Sequence, residues 1–244
     1  MPDILELDVE ELVRRSTQGA TSPWISRLSD DNTYYIKGVQ ALHKGLIIEY
    51  LCAQLGRSLG IPIPSTTIAY LDMNLLRYNS EAKKDFGEES CYVFASQEVK
   101  SLTELKVIDL ESMNPQVAKL LFFFDYLIQN EDRMLTENGG NPNLFINPIN
   151  SDMTVFDHNL AFDVNYDFEN NKNFHACREF WYEAQLELNF KHEMLEQLPI
   201  AIAELAEYAK GIPQEWLDSC DGLLNEIFTK LNLYKTALFW EALQ

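Results

Sequence analysis

The residues best suited to chemistry lie close together in the chain, between positions 125 and 162. Asp132 follows a strongly apolar segment, Asn143 stands at the start of a short apolar run, and Asp157 ends the next such run. If the two runs form a hairpin, Asn143 and Asp157 face one point, and an amide oxygen beside a carboxylate makes a hard-oxygen site suited to Mg²⁺. Asp132 could then orient an attacking hydroxyl or take its proton.

Two more charged residues stand upstream in segments of clear local character. Lys37 belongs to TYYIKG, a run rich in β-branched and aromatic residues, and Glu49 belongs to a segment whose apolar residues recur at helical spacing. A strand lysine paired with a glutamate of the next helix is an arrangement that holds nucleotide phosphates. Taken alone, Lys37 would more often be a solvated surface lysine, and a plain exposed glutamate stays an alternative for Glu49, so the interpretation depends on these surrounding elements.

The elements that must position these residues change character near residue 100. Before it, we predict strands at 24–28, 33–38, 66–71 and 90–95, a helix at 45–59 and a polar loop at 78–90. After it, we predict a buried helix at 116–129, a loop at 130–143, a hairpin from the runs at 144–147 and 154–157, and helices over 176–243 with breaks near Pro199 and at 211–213. The expected fold is α+β, with a small β-rich lobe (1–98) and a larger, mainly helical lobe (99–244).

Composition excludes several classes of partner. The 244 residues include 19 Lys+Arg and 38 Asp+Glu, a formal net charge of −19. Such acidity argues against nucleic acid and against an anionic membrane surface, since both need clustered cations. The acidic N-terminus lacks the basic region of a signal peptide, and Asp125 interrupts the most apolar run, so we expect a cytoplasmic protein without a membrane span.

The cysteines favour a reduced protein over a disulfide framework. They are Cys52, Cys91, Cys177 and Cys220, far apart and without a CxxC pair. A metal shared by His175 and Cys177 with His158 or His192 is conceivable, but the oxygen ligands near residue 150 offer the better metal site.

Five motifs extend the argument beyond single residues. In chain order they are YYIKG, GLIIEYLCAQLGRSLGIPIP, CYVFAS, NEDR with NPNLF, and VFDHNLAF, within residues 16–162. In this order they are similar to the motifs of the HipA-like kinases, specifically the small single-chain branch, and more distantly to those of the phosphoinositide kinases. The resemblance implies a two-lobed protein-kinase-like fold that binds ATP and Mg²⁺ in a cleft.

The resemblance also implies roles for individual residues. It places Lys37 at the ATP phosphates, with Glu49 as the matching helix glutamate. It makes Asp132 the catalytic aspartate and Asn143 and Asp157 the metal ligands. Further matches are the adenine-reading hinge at Phe94, Ala95 and Ser96, a phosphate-covering loop at 16–26 with Gly19, Thr21 and Ser22, and Arg133 as a support of the loop or of a substrate charge.

Two departures from the family pattern concern the site directly. Asp132 and Asn143 are separated by an inserted segment, MLTENG, which would cost one ligand if it displaced Asn143. Asn159 replaces the family's glycine after Asp-His, an acceptable exchange because Asn tolerates a positive φ. Neither change removes a reactive group.

Three functions remain open from the sequence. The first is a kinase acting on Ser or Thr of a protein, as in relatives that are toxins phosphorylating aminoacyl-tRNA synthetases; it could have a small antitoxin or regulatory partner. Self-modification would fall on Ser16, Thr17, Thr21 or Ser22. The second is a kinase of a small molecule or a phosphoinositide headgroup. The third is a pseudokinase that binds a partner through acidic C-terminal helices.

Overall fold

The computed structural model describes residues 7–16, 22–137, 139–183 and 188–244. The strands are β1 (Leu7–Arg15), β2 (Trp24–Leu28), β3 (Thr33–Lys37), β4 (Thr66–Leu71), β5 (Cys91–Gln97), β6 (Thr103–Glu104), β7 (Met134–Thr136), β8 (Gly139–Asn141), β9 (Leu144–Ile146) and β10 (Met153–Val155). The helices are α1 (His43–Ser58), α2 (Met73–Leu76), α3 (Ser80–Phe86), α4 (Pro115–Leu127), α5 (Phe168–Asn171), α6 (Arg178–Glu183), α7 (Leu188–Ala209), α8 (Gln214–Asp218), α9 (Leu223–Leu231) and α10 (Ala237–Ala242). The predicted α+β class is confirmed, whereas the division into two lobes at residue 98 stays a prediction.

The first five strands close into a barrel in the order β1–β2–β3–β5–β4. Alternate side chains fill it, among them Trp24, Ile36 and Val93. The four predicted strands are confirmed, but β1 was not predicted. Two register shifts interrupt its pairing with β2, so its apolar residues do not alternate and only Val9 is buried.

Helix α1 confirms the helix predicted at 45–59 and is buried from Leu46 to Gly56. It packs against α7, where the rings of Tyr50 and Tyr208 meet edge to face at 6.5 Å. Its apolar residues join the core formed with α4 and the C-terminal helices. The element that carries Glu49 is therefore anchored to the helical part of the molecule.

Helix α4, predicted at 116–129, begins at an asparagine cap and a proline. The Asn114 Oδ1 accepts hydrogen bonds from the backbone N–H groups of Gln116 and Val117, and Pro115 is the first helical residue. The helix is buried on most sides, including its aspartate, Asp125, which is 1% exposed. A helix of this kind can present a charged group only to a partner inside the protein.

Three local predictions are wrong. The polar segment 78–90 contains α3, because the Asn79 side chain caps it and Ala82 and Phe86 bury one face. The predicted loop at 130–143 contains the β7–β8 hairpin, which needs Gly140, since a Cβ there would lie 2.2 Å from the carbonyl oxygen of Met134. Helix α7 also continues through Pro199, whereas the predicted break at 211–213 is found. Leu198 and Ala201 are buried beside Pro199, so packing offsets the lost hydrogen bond.

The hairpin predicted from residues 144–157 is confirmed, with β9 paired antiparallel to β10. All four cysteines are free thiols. Within the described ranges, no helix combines the length and the apolar character that crossing a bilayer requires.

Candidate functional site

A cavity of about 410 Å³ lies between the barrel and the β9–β10 hairpin. Its polar lining includes Lys37, Glu49, Asn143 and Asp157. The apolar part of its lining is Pro23, Tyr35, Phe94, Val99, Leu102, Phe145 and Phe156. A cavity of this size, apolar at one part and charged at another, suits a ligand with an aromatic base and a charged tail.

Lys37, at the end of β3, is the centre of the charged part. Its Nζ donates to both carboxylate oxygens of Glu49 at 2.9 Å and to Asp157 Oδ1 at 3.3 Å. Burial raises the pKa of Glu49 to about 7, although Lys37 opposes the shift. Burial tends to lower the pKa of Lys37, but the two carboxylates outweigh it and the pKa is raised. Lys37 therefore stays a cation, held between two carboxylates.

Asp132 and Asn143 are in direct contact despite the insertion between them. The Asn143 Nδ2 donates to Asp132 Oδ2 at 2.9 Å and to the Asp132 carbonyl at 3.0 Å. The insertion contains β7 and the first residue of β8, and these two strands pair antiparallel, so the chain comes back towards Asp132 after them. Burial is the main cause that raises the pKa of Asp132. A half-buried carboxylate with a raised pKa is a suitable proton acceptor.

Asn143 and Asp157 offer oxygen donors to one cavity, as the hairpin argument predicts. Because the Asn143 amide nitrogen is engaged by Asp132, its Oδ1 remains for a ligand, beside the Asp157 carboxylate. This donor set fits Mg²⁺ completed by phosphate oxygens and water. In the described part of the chain, no group of three or more His, Cys, Asp and Glu residues is placed to hold a metal ion by itself. Phosphate oxygens and water would therefore complete the ligands of Mg²⁺ here.

The left-handed backbone conformation occurs at the two oxygen donors themselves. Asn143 has a φ of 48° and Asp157 a φ of 55°, whereas Asn159 is not among the residues with positive φ. Position 159 therefore needs no residue that tolerates a positive φ, and the exchange of glycine for Asn159 is acceptable without that tolerance. Strained φ angles at residues facing a cavity persist only where the surroundings hold them in place.

Arg133 is fully buried and holds the backbone on either side of the cavity donors in place. Its Nε donates to Asp125 Oδ2 at 2.6 Å and its second terminal nitrogen to Asp125 Oδ1 at 3.3 Å. The other terminal nitrogen, Nη1, donates to the carbonyls of Pro142, Asn143 and Phe156 at 3.0, 3.2 and 3.3 Å. One guanidinium thus ties α4 to both backbone segments that carry Asn143 and Asp157. Of the two roles expected for Arg133, the contacts are those of a loop support.

Asp125 and His175 complete this buried network; sequence reasoning considered His175 only as a conceivable metal ligand and did not identify Asp125 as functional. Asp125 Oδ2 also meets His175 Nε2 at 3.0 Å, and Asn130 Nδ2 donates to Asp125 Oδ1 at 2.8 Å. Burial alone would raise the pKa of Asp125, but Arg133 and His175 outweigh it and hold the pKa well below its usual range. The signal available in the sequence was an aspartate inside an otherwise apolar helix.

His158 is buried as well, at 1% exposure. Burial lowers the pKa of this imidazole to about 3, so it is neutral, and its ring packs edge to face on Phe124. A phosphate cannot contact a group so enclosed.

The hinge prediction at Phe94, Ala95 and Ser96 is wrong, because these residues lie inside β5. This strand is central, paired with β3 on one side and β4 on the other, so its backbone groups are occupied. Phe94 and Ser96 line the cavity through their side chains, while Ala95 is fully buried. The connecting segment starts after Glu98, whose N–H still bonds the carbonyl of Thr33. In the described chain, the backbone groups of Val99, Lys100 and Ser101 have no hydrogen-bond partner and border the cavity.

The predicted phosphate-covering loop is described only at its ends. Gly19 and Thr21, and also Thr17, lie outside the described residues. Ser16 and Pro23 line the cavity, and Ser22 has a φ of 43° with its carbonyl accepting a bond from Arg15 Nε. The loop therefore starts and ends beside the cavity that holds Lys37.

Sequence reasoning also missed the aromatic wall of the cavity. The rings of Phe145 and Phe156 meet edge to face at 5.3 Å, one from each strand region of the β9–β10 hairpin. The available signal was their position, two residues after Asn143 and one before Asp157. A hairpin that brings the polar pair together also brings these rings together.

Comparison with known proteins agrees with this arrangement. No curated protein matches the chain. A family model described as HipA-like kinase matches residues 9–243, which is nearly the whole chain and includes the C-terminal helices that carry no recognisable motif. Together with the five motifs, this match shows that the chain belongs to the HipA-like kinase family.

Proposed function

We propose that this protein is an ATP- and Mg²⁺-dependent kinase that transfers the γ-phosphoryl group to a hydroxyl, specifically to Ser or Thr of a protein. One observation carries the proposal. Lys37, Glu49, Asn143 and Asp157 line a single cavity, and Asn143 is hydrogen-bonded to Asp132. This arrangement puts a cation, two oxygen donors and a proton acceptor at one place, which phosphoryl transfer requires.

The apolar part and the charged part of the cavity would bind different parts of the nucleotide. The apolar residues, with Phe145 and Phe156, would enclose the base, and the free backbone groups of Val99 to Ser101 would hydrogen-bond its edge. Lys37 would hold the phosphates, and Glu49 keeps its ammonium in place. Asn143 and Asp157 would hold Mg²⁺, which when bound offsets the phosphate charge.

Asp132 is the residue placed to act on the acceptor. In the transfer, the acceptor oxygen forms a bond to the γ-phosphorus, the bond from that phosphorus to the β–γ bridging oxygen breaks, and ADP leaves. The hydroxyl proton passes to Asp132, whose raised pKa suits this step. The hydrogen bond from Asn143 orients the carboxylate, so the acceptor and the metal site are held in a fixed relation.

Local charge favours a protein hydroxyl over an anionic acceptor. Residues 126–171 contain one basic residue, Arg133, and it is buried against Asp125. The carboxylates of the same segment are Glu131, Asp132, Glu137, Asp152, Asp157, Asp163, Asp167 and Glu169. A phosphoinositide headgroup would be repelled from such a surface. A small neutral molecule remains the second candidate acceptor, and the toxin role and the antitoxin partner stay predictions from the family resemblance.

A thermal-shift titration tests the nucleotide site. ATP with Mg²⁺ should raise the melting temperature of wild type, because a ligand that binds only the folded state stabilises it. Asp157→Ala should lose the Mg²⁺-dependent rise, and Asp132→Ala should keep it while losing transfer to protein. Asp152→Ala is the control, since Asp152 lies in the turn of the same hairpin and bonds only its neighbours there. Absence of any shift in wild type would favour the pseudokinase.

A further inference from the structure

The β1–β2 hairpin ends beside the cavity, and one carboxylate outside the cavity holds this end in place. Strands β1 and β2 pair antiparallel, and the last pair of their ladder is Arg15 with Trp24. The next residues on either side, Ser16 and Pro23, are joined by a backbone hydrogen bond of 2.7 Å and line the cavity. The position of this last pair therefore decides where the cavity wall lies.

Asp85 of α3 contacts both members of that pair. Its Oδ2 accepts a hydrogen bond from Trp24 Nε1 at 2.8 Å and lies 3.2 Å from Arg15 Nε, while its Oδ1 lies 3.3 Å from the Arg15 terminal nitrogen. Asp85 and Trp24 are buried, at 6% and 2% exposure. Charge-assisted bonds in such surroundings are stronger than neutral ones. The residue lies 61 and 70 positions from its two partners, so the contact is purely tertiary.

Helix α3 is itself held against the barrel. Ala82 and Phe86 belong to the barrel core, and the Phe86 ring packs on Trp24 at a centroid distance of 6.2 Å. The same ring lies against Gly38, where an added Cβ would come within 2.4 Å of it. Gly38 directly follows Lys37. The helix thus contacts both the end of the β1–β2 hairpin and the strand that presents the lysine.

We propose that Asp85 is a positioning residue for the nucleotide phosphates, acting through Arg15 and Trp24. The end of a hairpin is free to twist and fray, and one carboxylate bonded to both strands opposes that motion. It keeps Ser16 and Pro23 at a fixed place relative to Lys37. The inference depends on the proposed function for its ligand, but the restraint on the hairpin itself does not.

The phosphate dependence of binding separates positioning from a merely structural role. In Asp85→Asn, affinity for ATP with Mg²⁺ should fall about tenfold, because weakening a buried charge-assisted bond costs about the free energy of a tenfold change in affinity. Affinity for adenosine, which has no phosphate, should be unchanged. Simple charge removal would act in the opposite direction, since a less acidic protein attracts ATP more strongly. Isothermal titration calorimetry on the full chain measures both constants.

Two further variants keep the test decisive. Trp24→Phe removes the hydrogen bond from the indole to Asp85 and keeps the charge and both contacts to Arg15, and it should show the same selective loss. Asp72→Asn is the matched control: Asp72 caps the neighbouring helix α2 through the N–H of Asn74 and should leave both affinities unchanged. Equal losses of ATP and adenosine, or none in either variant, would overturn the inference.

A nucleotide-free readout distinguishes failure of this inference from failure of the proposed function. Trypsin cleavage after Arg15, followed by mass spectrometry without nucleotide, should be about tenfold faster in Asp85→Asn than in wild type, because cleavage follows the population of the open form. If wild type binds no ATP but cleavage accelerates, the restraint stands and the nucleotide role of both the cavity and Asp85 fails. If wild type binds ATP and the variant behaves like it in both assays, only the Asp85 inference fails.

Discussion

Replacing Arg133 tests separately its contribution to folding stability and its contribution to positioning the proposed site. Arg133→Met removes the guanidinium that links Asp125 to the carbonyls of Pro142, Asn143 and Phe156. The Asp125 carboxylate, 1% exposed, then keeps only its bonds from Asn130 and His175. A double variant, Arg133→Met with Asp125→Asn, removes the uncompensated charge and leaves one amide oxygen, which can accept from one of those two donors.

The size of the effect follows from burial. Removing one partner of a fully buried ion pair costs about 3–5 kcal/mol, because the other charge remains desolvated. For a chain of this length, each kcal/mol lowers the melting temperature by about 2–4 °C, so we expect a fall of about 10 °C. The double variant should recover about 2 kcal/mol. It should not recover transfer activity, because the carbonyls of Pro142, Asn143 and Phe156 still lack the hydrogen bonds that Arg133 donates.

Urea unfolding and phosphoryl-transfer assays on the same preparations check this. Arg178→Met is the control, since Arg178 is partly exposed and bridges Glu179 at the surface, where such a pair contributes at most about 1 kcal/mol. A loss below about 1 kcal/mol in Arg133→Met would contradict the burial argument. Recovery of transfer together with stability in the double variant would contradict the positioning of the site by Arg133.

Three other predictions concern Glu49, Asp132 and Gly140. Because burial raises the pKa of Glu49 from 4.5 to about 7, the folded state keeps a proton that the unfolded state releases, so stability falls by about 3 kcal/mol as pH rises through that window. Urea unfolding of Glu49→Gln at pH 5 and pH 8 should not show this loss of stability. An equal change in the free energy of unfolding between the two pH values in wild type and variant would refute the prediction. Asp132→Asn should lower transfer by about 10²–10⁴-fold with ATP binding unchanged by calorimetry, and weaker ATP binding would contradict the assigned role. Gly140→Ala should cost about 1–3 kcal/mol through its clash with Met134, and an unchanged melting temperature would show that the hairpin yields.

The positions of the proposed site residues were predictable because local patterns place them on recognisable elements. Lys37 ends a strand of β-branched and aromatic residues, Glu49 lies on a helix of regular apolar spacing, and the turn-rich stretch between β9 and β10 indicates a hairpin. A hairpin returns its two ends to the same region, so Asn143 and Asp157 were expected to lie near each other, and both line the cavity. The periodicity of a few residues was enough for each step.

The failures occurred where local sequence is ambiguous. The segment 78–90 is polar apart from a few residues, and its helix depends on the cap at Asn79 and on burial of Ala82 and Phe86 against the barrel. Pro199 normally ends a helix, but packing on both sides of it outweighs the lost bond. The hinge was misplaced because a strand's neighbours on both sides, not its composition, decide whether its backbone groups are free.

By itself, the sequence determined the class of fold, the family and the types of group available for chemistry, since these depend on short-range periodicity and on the order of motifs. Only the tertiary structure decided which groups meet. The contacts of Asp125 with His175, of Asp85 with Arg15 and Trp24, and of Lys37 with Asp157 join residues 50 to 120 positions apart. Such contacts leave no periodic trace in the chain, because each depends on how whole elements pack and on which charges that packing buries.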